Sequence, residues 1–256
     1  MSWSARRKFV ILFGIGAVGV TFLALALVAT LYQAPSCHDG KQNNGEAGID
    51  CGGPCATLCT ALERAPRVLF TQALLKGNGR TDVIAEVENQ NVAAGARQVP
   101  YTLTLYGFDQ VLVTRVTGVL DIPPPPNAKV PVYVPNLTTG NQKVIHAFLT
   151  IDPMAVTWVP MPTDPRVLPV VSNTTLSGTT TAPRVDAVIT NPSVATLFNI
   201  PVVVMIRDAA GQVIAASQTI IPALPAQGET NATFTWNVAF SHLPSSIEVL
   251  PVISLP

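Results

Sequence analysis

Val83-Ile84-Ala85-Glu86-Val87-Glu88-Asn89 alternates small apolar and polar side chains and then stops at an asparagine. A period of two is the signature of a β-strand, in which successive side chains point to opposite faces. Val83, Ala85 and Val87 fall on one face, and Ile84, Glu86 and Glu88 on the other. The pattern returns as Val185-Asp186-Ala187-Val188-Ile189-Thr190-Asn191, a shift of 102 residues.

Working outward, other pieces of the chain echo each other at nearly the same distance. Pro66-Arg67-Val68-Leu69 recurs as Pro165-Arg166-Val167-Leu168. Val99-Pro100-Tyr101 is answered by Ile200-Pro201-Val202, and Gln110-Val111-Leu112 by Gln212-Val213-Ile214. Ile122-Pro123 and Ile221-Pro222 open the next turn in each copy. A shift that stays near 100 through five landmarks reads as a duplicated domain. The copies are placed at residues 63–162 and 163–256. Leu103 and Leu105 alternate with Thr102, Thr104 and Tyr106, while Ile200 to Ile206 is almost wholly apolar and suits a strand covered on both faces. Gly77-Asn78-Gly79-Arg80 reads as a turn rather than a phosphate loop, and Asp208-Ala209-Ala210-Gly211 closes a hairpin. Pro123 to Pro126 cannot donate to a ladder and form an extended loop or sheet edge. Thr163 to Pro183 joins the copies; a structureless linker is one reading, and the repeat favours instead the first strand of the second copy and a polar loop. Nothing after Leu62 sustains a helical period. The expected architecture is mainly β: an N-terminal transmembrane helix, a short disulfide-rich neck and two tandem immunoglobulin-like β-sandwiches.

These copies resemble the bacterial FxLYD domain, a family similar to the late-embryogenesis-abundant type 2 β-sandwich. The residues that carry the resemblance are Asn89, Leu105, Tyr106 and Asp109 in the first copy, and Asn191, Ile206, Arg207, Asp208 and Gly211 in the second. Gly107-Phe108 stand inserted before Asp109 in the first copy, and Arg207 stands where tyrosine is expected in the second. The resemblance implies an extracytoplasmic sandwich and carries over no catalytic residue.

Phe9 to Leu31 contains 23 residues without a charge. At about 1.5 Å per residue a helix of that length crosses a hydrocarbon core of about 30 Å. Thr21 and Thr30 are its only polar side chains, and their hydroxyls can bond back to the helix's own carbonyls. Arg6, Arg7 and Lys8 stand directly before it and hold the N-terminus in the cytoplasm. The expectation is a single-pass cell-membrane protein: residues 1–8 a cytoplasmic leader, 9–31 the membrane helix, 32–62 the neck, and the bulk outside. A cleaved signal peptide is the alternative, disfavoured by the length of the run.

All four cysteines, Cys37, Cys51, Cys55 and Cys59, crowd one segment. Outside the cytoplasm such a cluster reads as disulfides, with three connectivities open. The segment has too few apolar residues to form a core, so cross-links must hold it. It resembles a short element of bacterial surface proteins, carried here by Cys37, Asp39-Gly40, Gln42-Asn43, Glu46, Asp50 and Cys51-Gly52-Gly53, and that resemblance implies an exported context. Two ligand readings compete with the disulfide-stapled spacer bearing solvated acids. Calcium would be held by Asp39, Asn43, Glu46 and Asp50, since a hard cation wants several oxygens, although the spacing is not that of an EF-hand. Zinc would be held by the cysteines with His38.

Beyond the membrane run the chain carries 12 basic residues against 15 acidic ones, too balanced to attract nucleic acid. His38, His146 and His242 are far apart, His146 on the outer face of a strand, and no nucleophile motif stands beside any of them. No enzyme and no cofactor is therefore expected. Trp158, Trp236, Tyr133, Phe148, Phe234 and Phe240 are expected in the core rather than on a sugar or peptide platform. Asn136-Leu137-Thr138, Asn173-Thr174-Thr175 and Asn231-Ala232-Thr233 fit the glycosylation sequon. The functional expectation is a non-enzymatic module whose partner is a protein of the envelope or surface, with a purely structural stalk and an envelope enzyme as rivals.

Overall fold

The computed structural model describes residues 3–31, 36–55, 58–59, 63–178 and 181–256. The expected neck boundaries at 32 and 62, and Thr179-Thr180 of the joining segment, lie outside the described residues. The chain divides into two compact units, Met1–Ala56 and Thr57–Pro256.

The first unit opens with α1 (Trp3–Leu31). Within it, Arg6–Val28 is long and apolar enough to cross a membrane. Phe9, Val10, Ile11, Leu12 and Phe13 are all more than half exposed, so the apolar surface runs around the whole helix. A helix apolar on every side has the character of a membrane span or of a signal sequence. Thr21 Oγ1 donates to the Ala17 carbonyl at 2.8 Å, as the sequence leads one to expect. The side chain of Thr30 lies outside the described residues.

The second unit is built of strands. Its first half holds β1 (Arg67–Gly77), β2 (Arg80–Glu88), β3 (Ala94–Tyr106), β4 (Leu112–Ile122), β5 (Lys129–Thr138), β6 (His146–Ile151) and the short β7 (Trp158–Pro160). The second half holds β8 (Val170–Ser177), β9 (Arg184–Thr190), β10 (Leu197–Arg207), β11 (Val213–Leu224), β12 (Glu229–Thr235) and β13 (Ser246–Pro251). In the first half β1-β2-β5 form one sheet and β4-β3-β6 the other, with β7 added on β3. In the second half β8-β9-β12 and β11-β10-β13 repeat that order. Among the described residues after Leu62, helical turns are confined to Phe108–Gln110 and Pro153–Ala155.

Strand pairing gives the internal correspondence more sharply than the sequence does. Tyr106 pairs with Leu112 and Arg207 with Val213, a shift of 101 on both strands. The two hairpin loops are therefore equally long, and relative to the second copy Gly107-Phe108 is not an insertion. Val68 pairs with Val87, and Val171 with Ile189. The counterpart of Val68 is thus Val171 and not Val167. Ile122 pairs with Ala96 as Leu224 pairs with Leu197, so Ile122 corresponds to Leu224 and not to Ile221.

The sheets share three apolar clusters. Val83, Ala85 and Val87 of β2 pack with Leu103 and Leu105 of β3 and Ile122 of β4, the filling of a β-sandwich. Val185, Ala187 and Ile189 pack likewise with Val202, Val204 and Ile206. The third cluster joins the halves: Ile84 from the other face of β2 meets Val203 and Met205 from the other face of β10, with Val213 and Ala216 beside them. Central strands β2 and β10 are therefore covered on both sides, and Ile84, Met205 and Ile206 are each 0% exposed. At the rim of this seam the Arg207 guanidinium lies 4.8 Å from the Phe70 ring and 3.8 Å from Glu86.

Candidate functional site

One sheet face of the first half is left open. On β6, Ala147, Leu149 and Ile151 point inward and pack against the first cluster, so His146, Phe148 and Thr150 point out. On the paired β3, Leu103 and Leu105 point inward, so Thr104 and Tyr106 point out. The register places Tyr106 opposite His146 and Thr104 opposite Phe148. Tyr106 and Phe148 meet edge to face with ring centroids 6.0 Å apart, and the His146 ring stacks on Phe148 at 6.1 Å. In the turn after β3, Asp109 and Gln110 take left-handed backbone with φ of 52° and 58°. Gln110 completes the rim of a shallow cavity of about 480 Å³ over this face.

Phe148 corrects the expectation that it packs in the core. It is 52% exposed, whereas Trp158 and Phe234 are buried and Tyr133, Trp236 and Phe240 pack partly buried against the clusters. The physical reason is position: β6 lies in a sheet with only one covered face. His146 does sit outward, as its alternation indicates. What sequence reading did not supply was the juxtaposition of residues 106 and 148, which only the β3–β6 register creates.

The histidines stay apart. His242 Nδ1 lies 3.2 Å from the Ser241 hydroxyl, but both are exposed chain neighbours. Among the described residues no carboxylate bonds the other ring nitrogen, so the pair lacks the orienting third group that an activated serine needs. Asp82, 1% exposed, accepts hydrogen bonds from the Tyr133 hydroxyl and the Asn136 N–H and an ion pair from Lys76 at 2.9 Å. Burial, reinforced by that bond to Asp82, pushes the Tyr133 hydroxyl far above its ordinary pKa.

The neck, residues 36–55, is a knot of turns closed by its own acids. Cys37 and Cys55 form a disulfide. Cys51 and Cys59 are disulfide-bonded too, and no cysteine is free. Asp50 accepts from the Asp39 and Gly40 N–H groups at 2.9 Å each. Asp39 accepts from the Lys41 N–H and the Asn43 amide, and the Asn43 bond, ahead of the cost of burial, holds its carboxyl below the usual range. Glu46, 7% exposed, accepts from the Asn43 and Asp50 N–H groups through Oε2. Its Oε1 lies 3.2 Å from Cys55 Sγ, which in a disulfide has no proton to give. The acids are therefore not a solvated face; they satisfy backbone donors that a coreless segment cannot otherwise satisfy. Asp39, Asn43, Glu46 and Asp50 do come together, but each carboxylate is already directed at N–H groups. Cys37, Glu46 and Cys55 also cluster, with the two sulfurs joined to each other rather than offered as thiolates. Gly52 and Gly53 hold φ of 71° and 59°, the left-handed turn that explains the paired glycines.

Arg6, Arg7 and Lys8 lie in the first turns of α1, exposed, with the Arg7 guanidinium 4.1 Å from the Trp3 ring.

No protein-family model matches the chain, and no curated protein sequence does. Among solved structures, a crystal structure of red sea bream transglutaminase is similar at a TM-score of 0.22 and 16% identity, over 73% of this chain and 31% of that one. The chain spans about a third of the length of that protein, and a likeness this slight carries no argument about chemistry.

Proposed function

We propose that this chain is a single-pass membrane protein, N-terminus in the cytoplasm, that presents two immunoglobulin-like sandwiches outside the cell membrane and acts by binding rather than by catalysis. The helix and its basic leader anchor it, the neck spaces it, and the open face of β3 and β6 makes contact with a partner in the envelope or at the surface. The observation that carries this reading is the aromatic group of the exposed Phe148 and His146 with the half-buried Tyr106. A large ring left half in water, with two further rings packed against it on one sheet face, marks an interaction site. A stalk without binding is the second reading, favoured by the third apolar cluster, which fits a stiff spacer.

The test is a photo-crosslinking phenylalanine analogue at position 148 in intact cells, compared with one at the exposed Asn231 of β12. A discrete adduct from position 148 and none from 231 is expected. Equal labelling from both positions, or none from 148, would leave the stalk.

A further inference from the structure

The same open face has a chemistry that narrows its ligand, an inference that rests on the binding reading above. Thr104, Tyr106, Gln110, His146, Phe148 and Thr150 line the cavity, and no carboxylate, ammonium or guanidinium is among them. Asp109 and Arg115 stand outside that lining with opposite charges; Arg115 is the β4 residue paired with Thr104. Phe148 offers an exposed ring. Around it stand polar groups that nothing else takes up. Thr104 is only 6% exposed, yet its side chain lines the cavity. Among the described residues, no hydrogen bond occupies its hydroxyl, the Tyr106 hydroxyl, the Gln110 amide or the His146 ring. Thr150 Oγ1 alone is engaged, donating to the Thr102 carbonyl at 3.2 Å.

A charged ligand would lose water here without meeting a counter-charge. A wholly apolar one would cover four polar groups and leave them unpaired, at a cost of the order of 1 kcal/mol or more each. A ligand that fits must be neutral, carry an apolar C–H face for the Phe148 ring, and bear both donors and acceptors around its edge. We propose that this face binds an uncharged saccharide chain, with a pyranose ring lying on Phe148 and its hydroxyls bonded to Thr104, Tyr106, Gln110 and His146.

The test uses the full chain in neutral detergent and titrates it with cellotetraose, maltotetraose and chitotetraose, with tetragalacturonate as the charged comparator and a proline-rich peptide as the polypeptide one. Binding is followed by calorimetry and by saturation transfer to the sugar protons. At least one neutral tetraose is expected to bind. Phe148→Ala is expected to weaken that binding by about tenfold, the equivalent of one stacking contact. Tyr106→Phe, which keeps the ring and removes the hydroxyl, is expected to weaken it severalfold, and Asn231→Ala to leave it unchanged. Thermal unfolding of each variant shows that the fold is kept. Preference for tetragalacturonate or for the peptide would overturn the saccharide assignment, as would neutral binding that survives Phe148→Ala. No tetraose binding together with a protein adduct from position 148 would overturn the saccharide and leave the contact face standing. No tetraose binding and no adduct would remove both.

Discussion

Asn89 and Asn191 do the same work 102 residues apart. The Asn89 amide donates to the carbonyls of Ala94 and Pro123, and its carbonyl accepts from the Asn91 N–H. Asn191 donates to Ala195, Leu224 and Pro225 and accepts from Ser193. Their backbone N–H groups donate to Ala128 and Gly228, each just before the strand that follows. One buried side chain thus closes the ends of three strands in each half. Asn89→Ala is expected to lower stability by about 2–4 kcal/mol, since it strands two buried carbonyls and a turn N–H. Asn89→Asp, isosteric but unable to donate, should do no better. Urea unfolding of the two variants against the parent reads both. This residue was legible in the sequence because it is particular: an amide at a strand end can be matched in one way only. The apolar landmarks were not. Val68-Leu69 and Ile122-Pro123 resemble Val167-Leu168 and Ile221-Pro222, but in a chain rich in valine and isoleucine such pairs match at several registers, and the structure chose others.

The neck shows an element whose composition explains its folding without a core. Six of its motif positions, Asp39, Gln42, Asn43, Glu46, Asp50 and Gly53, were readable as a pattern, but the pattern does not say whether the acids hold a cation or the backbone. Each carboxylate faces N–H groups at hydrogen-bond distance, while Asn43 Oδ1 is buried without a partner, so a calcium titration is what separates the two. A Cβ at Gly53 would run into the Gly45 carbonyl, in a left-handed turn that side chains resist. Gly53→Ala and Asp50→Ala are each expected to open the neck while leaving the strands intact. Limited proteolysis of the oxidised protein, mapped by mass spectrometry, should then show new cuts between residues 37 and 55. Excess calcium should not protect them. Calcium-dependent protection of the parent neck would revive the cation reading. The open face was only half legible at the same scale: alternation along β6 put His146, Phe148 and Thr150 on one side, but no local pattern tells an outward face that is covered from one that is open.

The two halves of the strand unit form one compact unit, and Ile84 and Met205 meet in the apolar cluster that joins them. The sequence announced the seam indirectly, in the unbroken apolar run Ile200 to Ile206, which makes sense only for a strand buried on both sides. Met205→Asp places an unpaired carboxylate among Ile84, Val203 and Ala216 and is expected to part the halves; small-angle scattering should show an expanded particle with its strand content retained. The joint is also pinned electrostatically. Asp164 accepts two bonds from the Arg166 side chain, at 2.9 and 2.8 Å, and one from Asn127 of the first half, while Arg166 reaches the Ile253 carbonyl of the second. Burial alone would raise the Asp164 carboxyl, but the bonds from Arg166 and Asn127 outweigh it and hold it at about 2. A depressed folded-state pKa stabilises above the unfolded value of about 3.9 and ceases to do so as pH falls through the folded one. Glu86 has the opposite sign: burial lifts its carboxyl against the pull of Arg207, so protonation relieves it. Stability is therefore expected to hold or rise slightly as pH falls toward 4, and then to drop between about 4 and 2. Asp164→Asn should remove part of that drop and cost on the order of 2 kcal/mol at neutral pH. Asp186→Asn is the control: that carboxyl is also held at about 2, by Arg184 and Thr233, but its ion pair lies in water and contributes little. Thermal melts of the three proteins from pH 7 to 2 decide the matter, and equal acid slopes for Asp164→Asn and the parent would show that the clasp does not hold the halves.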